Sequence, residues 1–127
     1  MVPSNVTLML HHVSIEVLPA DAERFGEMLE LIGFQSIDAP EEFGGGIPWY
    51  EREGTQVHLI ITEGATAPAL GHAAFVAPDF EATASALGAA GFEVEEHRQL
   101  WGEGRSFILA PGGHRVEIMA APPEPSV

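Results

Sequence analysis

Six histidines, nineteen carboxylates and no cysteine bound the chemistry open to this chain of 127 residues. Its five basic residues are all arginines, Arg24, Arg52, Arg98, Arg105 and Arg115, so amine and thiol nucleophiles are both missing. That excludes Schiff-base, disulfide and thiolate–metal chemistry. The imidazoles and carboxylates that remain suit a divalent metal with nitrogen and oxygen ligands. Four of them stand in similar surroundings: His12 in LHHVSIEV, His58 in QVHLII, His72 in LGHAAFV and Glu117 in HRVEIM. Strand alternation sets His12, Ser14 and Glu16 opposite Val13, Ile15 and Val17. In the same way His58 points away from the face of Val57 and Leu59, and Glu117 away from that of Val116 and Ile118. Three imidazoles and a carboxylate form a coordination set for one divalent ion, zinc, iron, manganese, cobalt or nickel, with positions left for water or substrate.

An isolated strand histidine is ordinarily a hydrogen-bonded structural residue, but these four recur at the matched positions of an internal repeat. The segment from Leu10, LHHVSIEVLPADAERFGEMLELIGF, and that from Leu70, LGHAAFVAPDFEATASALGAAGF, share one order of features: a histidine in an apolar strand, Pro and Asp, a helical stretch, then Gly-Phe. His12 maps onto His72, Gly33-Phe34 onto Gly91-Phe92, and His58 onto Glu117. The spacing predicts a strand over about 9–17, then a helix with Ala22, Phe25, Leu29 and Ile32 as its stripe, Asp21 as N-cap and Gly33 as its stop. The second copy has Asp79, then Phe80, Ala84 and Leu87, then Gly91. Three short strands follow each helix, at about 34–38, 47–52 and 55–62, then 92–97, 105–110 and 114–120. The fold class is therefore α+β, two tandem βαβββ units in one domain over 1–127. Unit 1 spans about 8–62, a linker 63–69, unit 2 about 70–121, and a frayed Pro-rich tail 122–127.

His58 has two open roles, metal ligand or base beside a three-ligand site. The ligand role is preferred because its repeat equivalent, Glu117, is itself an expected ligand and catalytic group. The remaining histidines carry less. His11 has the opposite parity to His12 and is expected to face the helix layer or a subunit contact. His97 ends an acidic run and reads as a solvated edge, and His114 belongs to the turn Pro111-Gly112-Gly113.

A net charge of −14 repels a phosphate backbone and excludes nucleic acid as a partner. No apolar run approaches the roughly 18 residues a membrane span requires, and Met1-Val2-Pro3-Ser4-Asn5 lacks the basic start of a secretory signal. The expectation is a cytoplasmic protein with no membrane partner.

The LHHVSIEV strand, the unit GHAAFVAPDFEATASALGAAGFEV and the closing APGGHRVEIM resemble the vicinal oxygen chelate superfamily, over about residues 8–121. That superfamily includes glyoxalase I, methylmalonyl-CoA epimerase, fosfomycin-resistance proteins, extradiol dioxygenases and bleomycin-resistance proteins. The resemblance implies paired βαβββ units in a cupped, partly closed mixed sheet with the helices outside. It places metal ligands at His12, His58, His72 and Glu117, the set that strand parity selects separately. It also implies that a small oxygenated metabolite chelates the metal through neighbouring oxygens, in a lyase, isomerase or dioxygenase reaction. A histidine at position 58 departs from the glyoxalase and epimerase patterns. The thin arginine supply disfavours coenzyme A or fosfomycin as substrate.

Trp49 and Trp101 are candidate aromatic walls of the cup, and Arg115 a candidate for a substrate carboxylate. The run Glu41-Glu42-Phe43-Gly44-Gly45-Gly46 suits a flap over the site. Edge strands in need of cover predict a homodimer, and the superfamily forms its cup either within one chain or by exchange between two. The alternative function is metal-free sequestration of a cationic small molecule, as in bleomycin-resistance members, for which the acidic charge would be apt.

Overall fold

A computed structural model describes residues 9–124. The element order is β1 (His12–Val17), α1 (Ala22–Ile32), β2 (Gln35–Ile37), β3 (Trp49–Arg52), β4 (Thr55–Ile61), β5 (Ala73–Val76), α2 (Phe80–Ala89), β6 (Glu93–His97), β7 (Arg105–Leu109) and β8 (Arg115–Met119). Both units are βαβββ, as the repeat requires. They form two open four-stranded mixed sheets, ordered β1-β4-β3-β2 and β5-β8-β7-β6. In each, the first strand runs parallel to the last and the others are antiparallel.

Helix α1 buries Phe25, Met28, Leu29 and Ile32, the stripe that 3.6-residue spacing puts on one side. Asp21 holds the N-cap position without a capping bond, because the chain enters through a 3-10 turn at Pro19–Asp21. The stop at Gly33 is backbone chemistry. Its φ is +117°, and its N–H reaches the carbonyls of Leu29 and Glu30, a conformation that costs other residues a steric penalty. Helix α2 is weaker, as its alanines suggest, with Leu87 its one fully buried side chain among the described residues. The predicted strand limits shrink by one to three residues at most ends. The largest change is at β1, which begins at His12, so that Met9, Leu10 and His11 precede the strand.

The two helices and the apolar faces of both sheets share one core, in which Phe25, Met28 and Leu29 meet Leu87, Val57, Leu59, Ile108, Val116 and Ile118. Gly26 is a point of close helix–sheet approach: a Cβ there would collide with the hydroxyl of Tyr50 on β3. Polar contacts also tie the units. Arg52 donates to the carbonyl of Val76 at 2.6 Å, and Arg24 donates to that of Ala90 at 2.6 Å while lying over the Phe92 ring. His114 pairs with the Glu16 carbonyl at 2.8 Å. No described helix is long and apolar enough to cross a membrane. The N-terminal pentapeptide and Pro125–Val127 lie outside the described residues.

Candidate functional site

Because both sheets turn their apolar faces to the shared core, alternation turns their polar faces away from it. The four predicted ligands therefore come together two by two. His12 and His58 stack, ring centroids 4.3 Å apart. His72 Nε2 stands 3.1 Å from Glu117 Oε1. No cluster of three or more metal-binding side chains forms among the described residues of one chain.

In the first pair, His58 is buried between Trp49, whose ring centroid is 3.7 Å away, and His12. Trp49 and His58 are directly opposite in the β3–β4 register, which puts their rings in contact. Gln56 donates from Nε2 to Glu51 Oε1 at 2.9 Å, since a carboxylate only accepts. Its Oε1 is thereby presented to His58, whose Nε2–H donates at 2.8 Å. The lone pair of His58 is left on Nδ1. Burial, reinforced by the neighbouring His12 and His11 imidazoles, lowers its pKa from the usual value and keeps the ring neutral. Phe43 reaches the outer side of Trp49 at 5.6 Å. A hollow of about 310 Å³ lined by His11, His12, Ser14, Phe43, Ile47, Trp49, His58 and Ile60 opens here. The Gly44–Gly46 run beside it has φ of +79°, +73° and +75°, a left-handed series that only glycine adopts without strain.

In the second pair, His72 donates from Nδ1 to the Leu70 carbonyl at 2.9 Å, which aims its Nε2 at Glu117 Oε1. Glu117 is buried, and its Oε2 is held by Arg105 Nε at 3.0 Å. Reading β7 by itself misses Arg105, because its relation to Glu117 is a diagonal one. Phe107 faces Glu117 in the β7–β8 register and Arg105 lies two residues along the same face. Trp49 and Phe107 thus hold matching places in the two units, and Trp101 does not. The Trp101 indole donates to the Ala121 carbonyl at 2.9 Å, with Arg105 5.8 Å from its ring. Arg115 lies over Phe107 at 4.2 Å and pairs with Glu95 at 3.3 Å.

The other histidines differ in part from expectation. His97 is half-buried and edge-on to Phe107, not a solvated edge. His114 joins the two units in addition to its turn. His11 is exposed and lies beside His12, Nδ1 to Nδ1 at 3.0 Å, not against the helices. It precedes β1, so strand alternation does not govern it.

The sequence pattern of the Glyoxalase/Bleomycin resistance protein/Dioxygenase superfamily matches residues 11–118. The chain belongs to that superfamily. Solved structures of the glyoxalase fold agree with this assignment. A glyoxalase family protein from Bacillus anthracis superposes with a TM-score of 0.76 at 23% identity, covering 91% of this chain and 96% of its own. The fosfomycin resistance protein FosX from Mesorhizobium loti gives 0.68 at 16% identity, covering 92% and 94%. TnmS3, an antibiotic binding protein from Streptomyces sp. CB03234, gives 0.66 at 16%, covering 87% and 93%. At these identities the likeness establishes the shared fold. No curated protein matches the chain by sequence.

The donor atoms fit a divalent metal in kind. His72 Nε2 and Glu117 Oε1 converge at 3.1 Å, a contact that either a proton on the imidazole or a metal ion between them would satisfy, and the hydrogen bond of His58 leaves its Nδ1 lone pair open. They stand as two pairs, one on each unit, the first a stack of rings and the second a histidine–carboxylate contact.

Proposed function

We propose that this protein is a metal-dependent glyoxalase-like enzyme of the lyase, isomerase or dioxygenase type, and that two copies build each site. His12 and His58 of one chain would join His72 and Glu117 of the other around one divalent ion. The observation that carries this reading is the division of the ligands into two pairs on sheet faces that both point away from the common core. The first strands of the sheets, β1 and β5, lie at sheet edges with no further strand partner among the described residues, which supports pairing with another copy. When bound, the metal supplies Lewis acidity that stabilises negative charge developing on neighbouring substrate oxygens. Trp49, Phe43 and Phe107 offer apolar walls. Arg105 steadies Glu117 by its second oxygen, leaving Oε1 to act, and Arg115 stands beside Phe107 within reach of an anionic substituent. His58 acts through Nδ1, as the fourth ligand or as the base.

Complementation tests the shared site. His12→Ala and His72→Ala chains, carrying different tags and refolded together, give a heterodimer in which one site bears both lesions and the other none. Each variant by itself should bind almost no zinc, and the heterodimer about one ion per dimer by elemental analysis. A heterodimer without zinc would show that each chain builds its own site, and a wild-type protein without zinc would refute the metal reading.

The aromatic column Phe43–Trp49–His58 beside an acidic chain favours a second reading, metal-free capture of a planar cation. A cationic dye that quenches Trp49 fluorescence equally with and without EDTA would support it.

A further inference from the structure

We infer that His11 is a positioning residue for the metal site: its Nδ1 accepts the Nδ1 proton of His12 and so fixes the His12 tautomer that presents Nε2 to a metal. The inference rests on the metal reading above and deepens it. The two Nδ1 atoms are 3.0 Å apart, within hydrogen-bond reach, and two imidazole nitrogens at that distance share one proton. If His11 carried it, the His12 proton would lie on Nε2 and block coordination there. If His12 carries it, Nε2 has the lone pair. Metal-bound imidazoles almost always donate their other N–H to a fixed acceptor, and that partner orients the ring.

The structure supplies such a partner for the other histidines of the set. His72 Nδ1 donates to Leu70 O, and His58 Nε2 donates to Gln56 Oε1. For His12, the His11 ring is the acceptor the described residues provide. The His11 main chain is itself anchored, since its carbonyl accepts the Gln56 N–H at 2.8 Å. The rings meet edge to face, at an interplanar angle of 88° with centroids 5.2 Å apart. On its other side the His12 ring stacks on His58, so both its tilt and its tautomer are determined by neighbours. His11 is exposed and outside the core, so its replacement leaves the fold intact.

The test uses the full-length protein and zinc alone, at neutral pH. His11→Ala should weaken zinc binding by about 10- to 100-fold in titration calorimetry, with unchanged circular dichroism and unchanged sedimentation. His11→Asn, whose Oδ1 can occupy the place of the imidazole Nδ1, should restore most of the affinity. In the wild type loaded with zinc, nitrogen NMR should show the His12 proton on Nδ1, with a scalar coupling to His11 Nδ1 across the hydrogen bond. Zinc affinity within twofold of wild type in His11→Ala, or Asn no better than Ala, would overturn the inference while leaving the metal reading standing. A wild-type protein that takes up no zinc would overturn both.

Discussion

At the scale of residues, the Glu117–Arg105 pair is a buried contact that holds one of the four candidate ligands. Both side chains are largely buried, and Glu117 Oε2 would lose its cation if Arg105 were truncated. Arg105→Met should therefore destabilise the metal-free protein by about 3 kcal/mol in urea unfolding, the order expected when one member of a buried pair is removed. A loss under 1 kcal/mol would mean that water reaches the carboxylate. His58 gives a pH dependence whose sign follows from its lowered pKa. The unfolded chain binds a proton at this imidazole more readily than the folded one, so the contribution to stability holds above the unfolded value, about 6.5, and is lost as pH falls through the lower folded value. With EDTA present, urea midpoints at pH 7.5 and 5.5 should differ less in His58→Phe than in the wild type.

Among the elements, α1 and β3 meet closely where Gly26 faces Tyr50. Replacing a mid-helix glycine by alanine ordinarily stabilises a protein by up to about 1 kcal/mol, but at Gly26 the added methyl meets the Tyr50 hydroxyl. Gly26→Ala should cost about 1–3 kcal/mol by overpacking, and Tyr50→Phe should recover much of that loss in the double variant. Thermal melts of the four proteins check it. The Gly44–Gly46 turn behaves differently, since a Cβ there meets nothing within 4 Å. Gly45→Ala should cost about 1–2 kcal/mol from its left-handed backbone alone, and a melt unchanged within error would show that the turn relaxes to another conformation.

For the whole molecule, the expected behaviour is a concentration-dependent dimer stabilised by metal. Zinc at about 100 times its Kd should add about 2.7 kcal/mol, visible as a rise in melting temperature that EDTA reverses. Zinc binding should weaken below about pH 6, where imidazoles take protons in place of the metal. Much of this organisation is legible in the chain itself. The His12/His72 and His58/Glu117 correspondence and the two switches from alternating to helical periodicity determine βαβββ twice, and parity selects the polar side chains of β1, β4 and β8. Those properties are local, because a side chain's face depends on its own strand. Other features depend on contacts distant in sequence. The β7–β8 register brings Arg105 to Glu117 and makes Phe107, not Trp101, the counterpart of Trp49. The start of β1 at His12 frees His11 from alternation. Helix packing turns the two polar faces away from one core, and so divides a candidate ligand set that alternation alone would allow to meet at a single point. Periodicity says which side of a sheet a residue occupies, whereas the direction in which that side faces is decided by how the units pack.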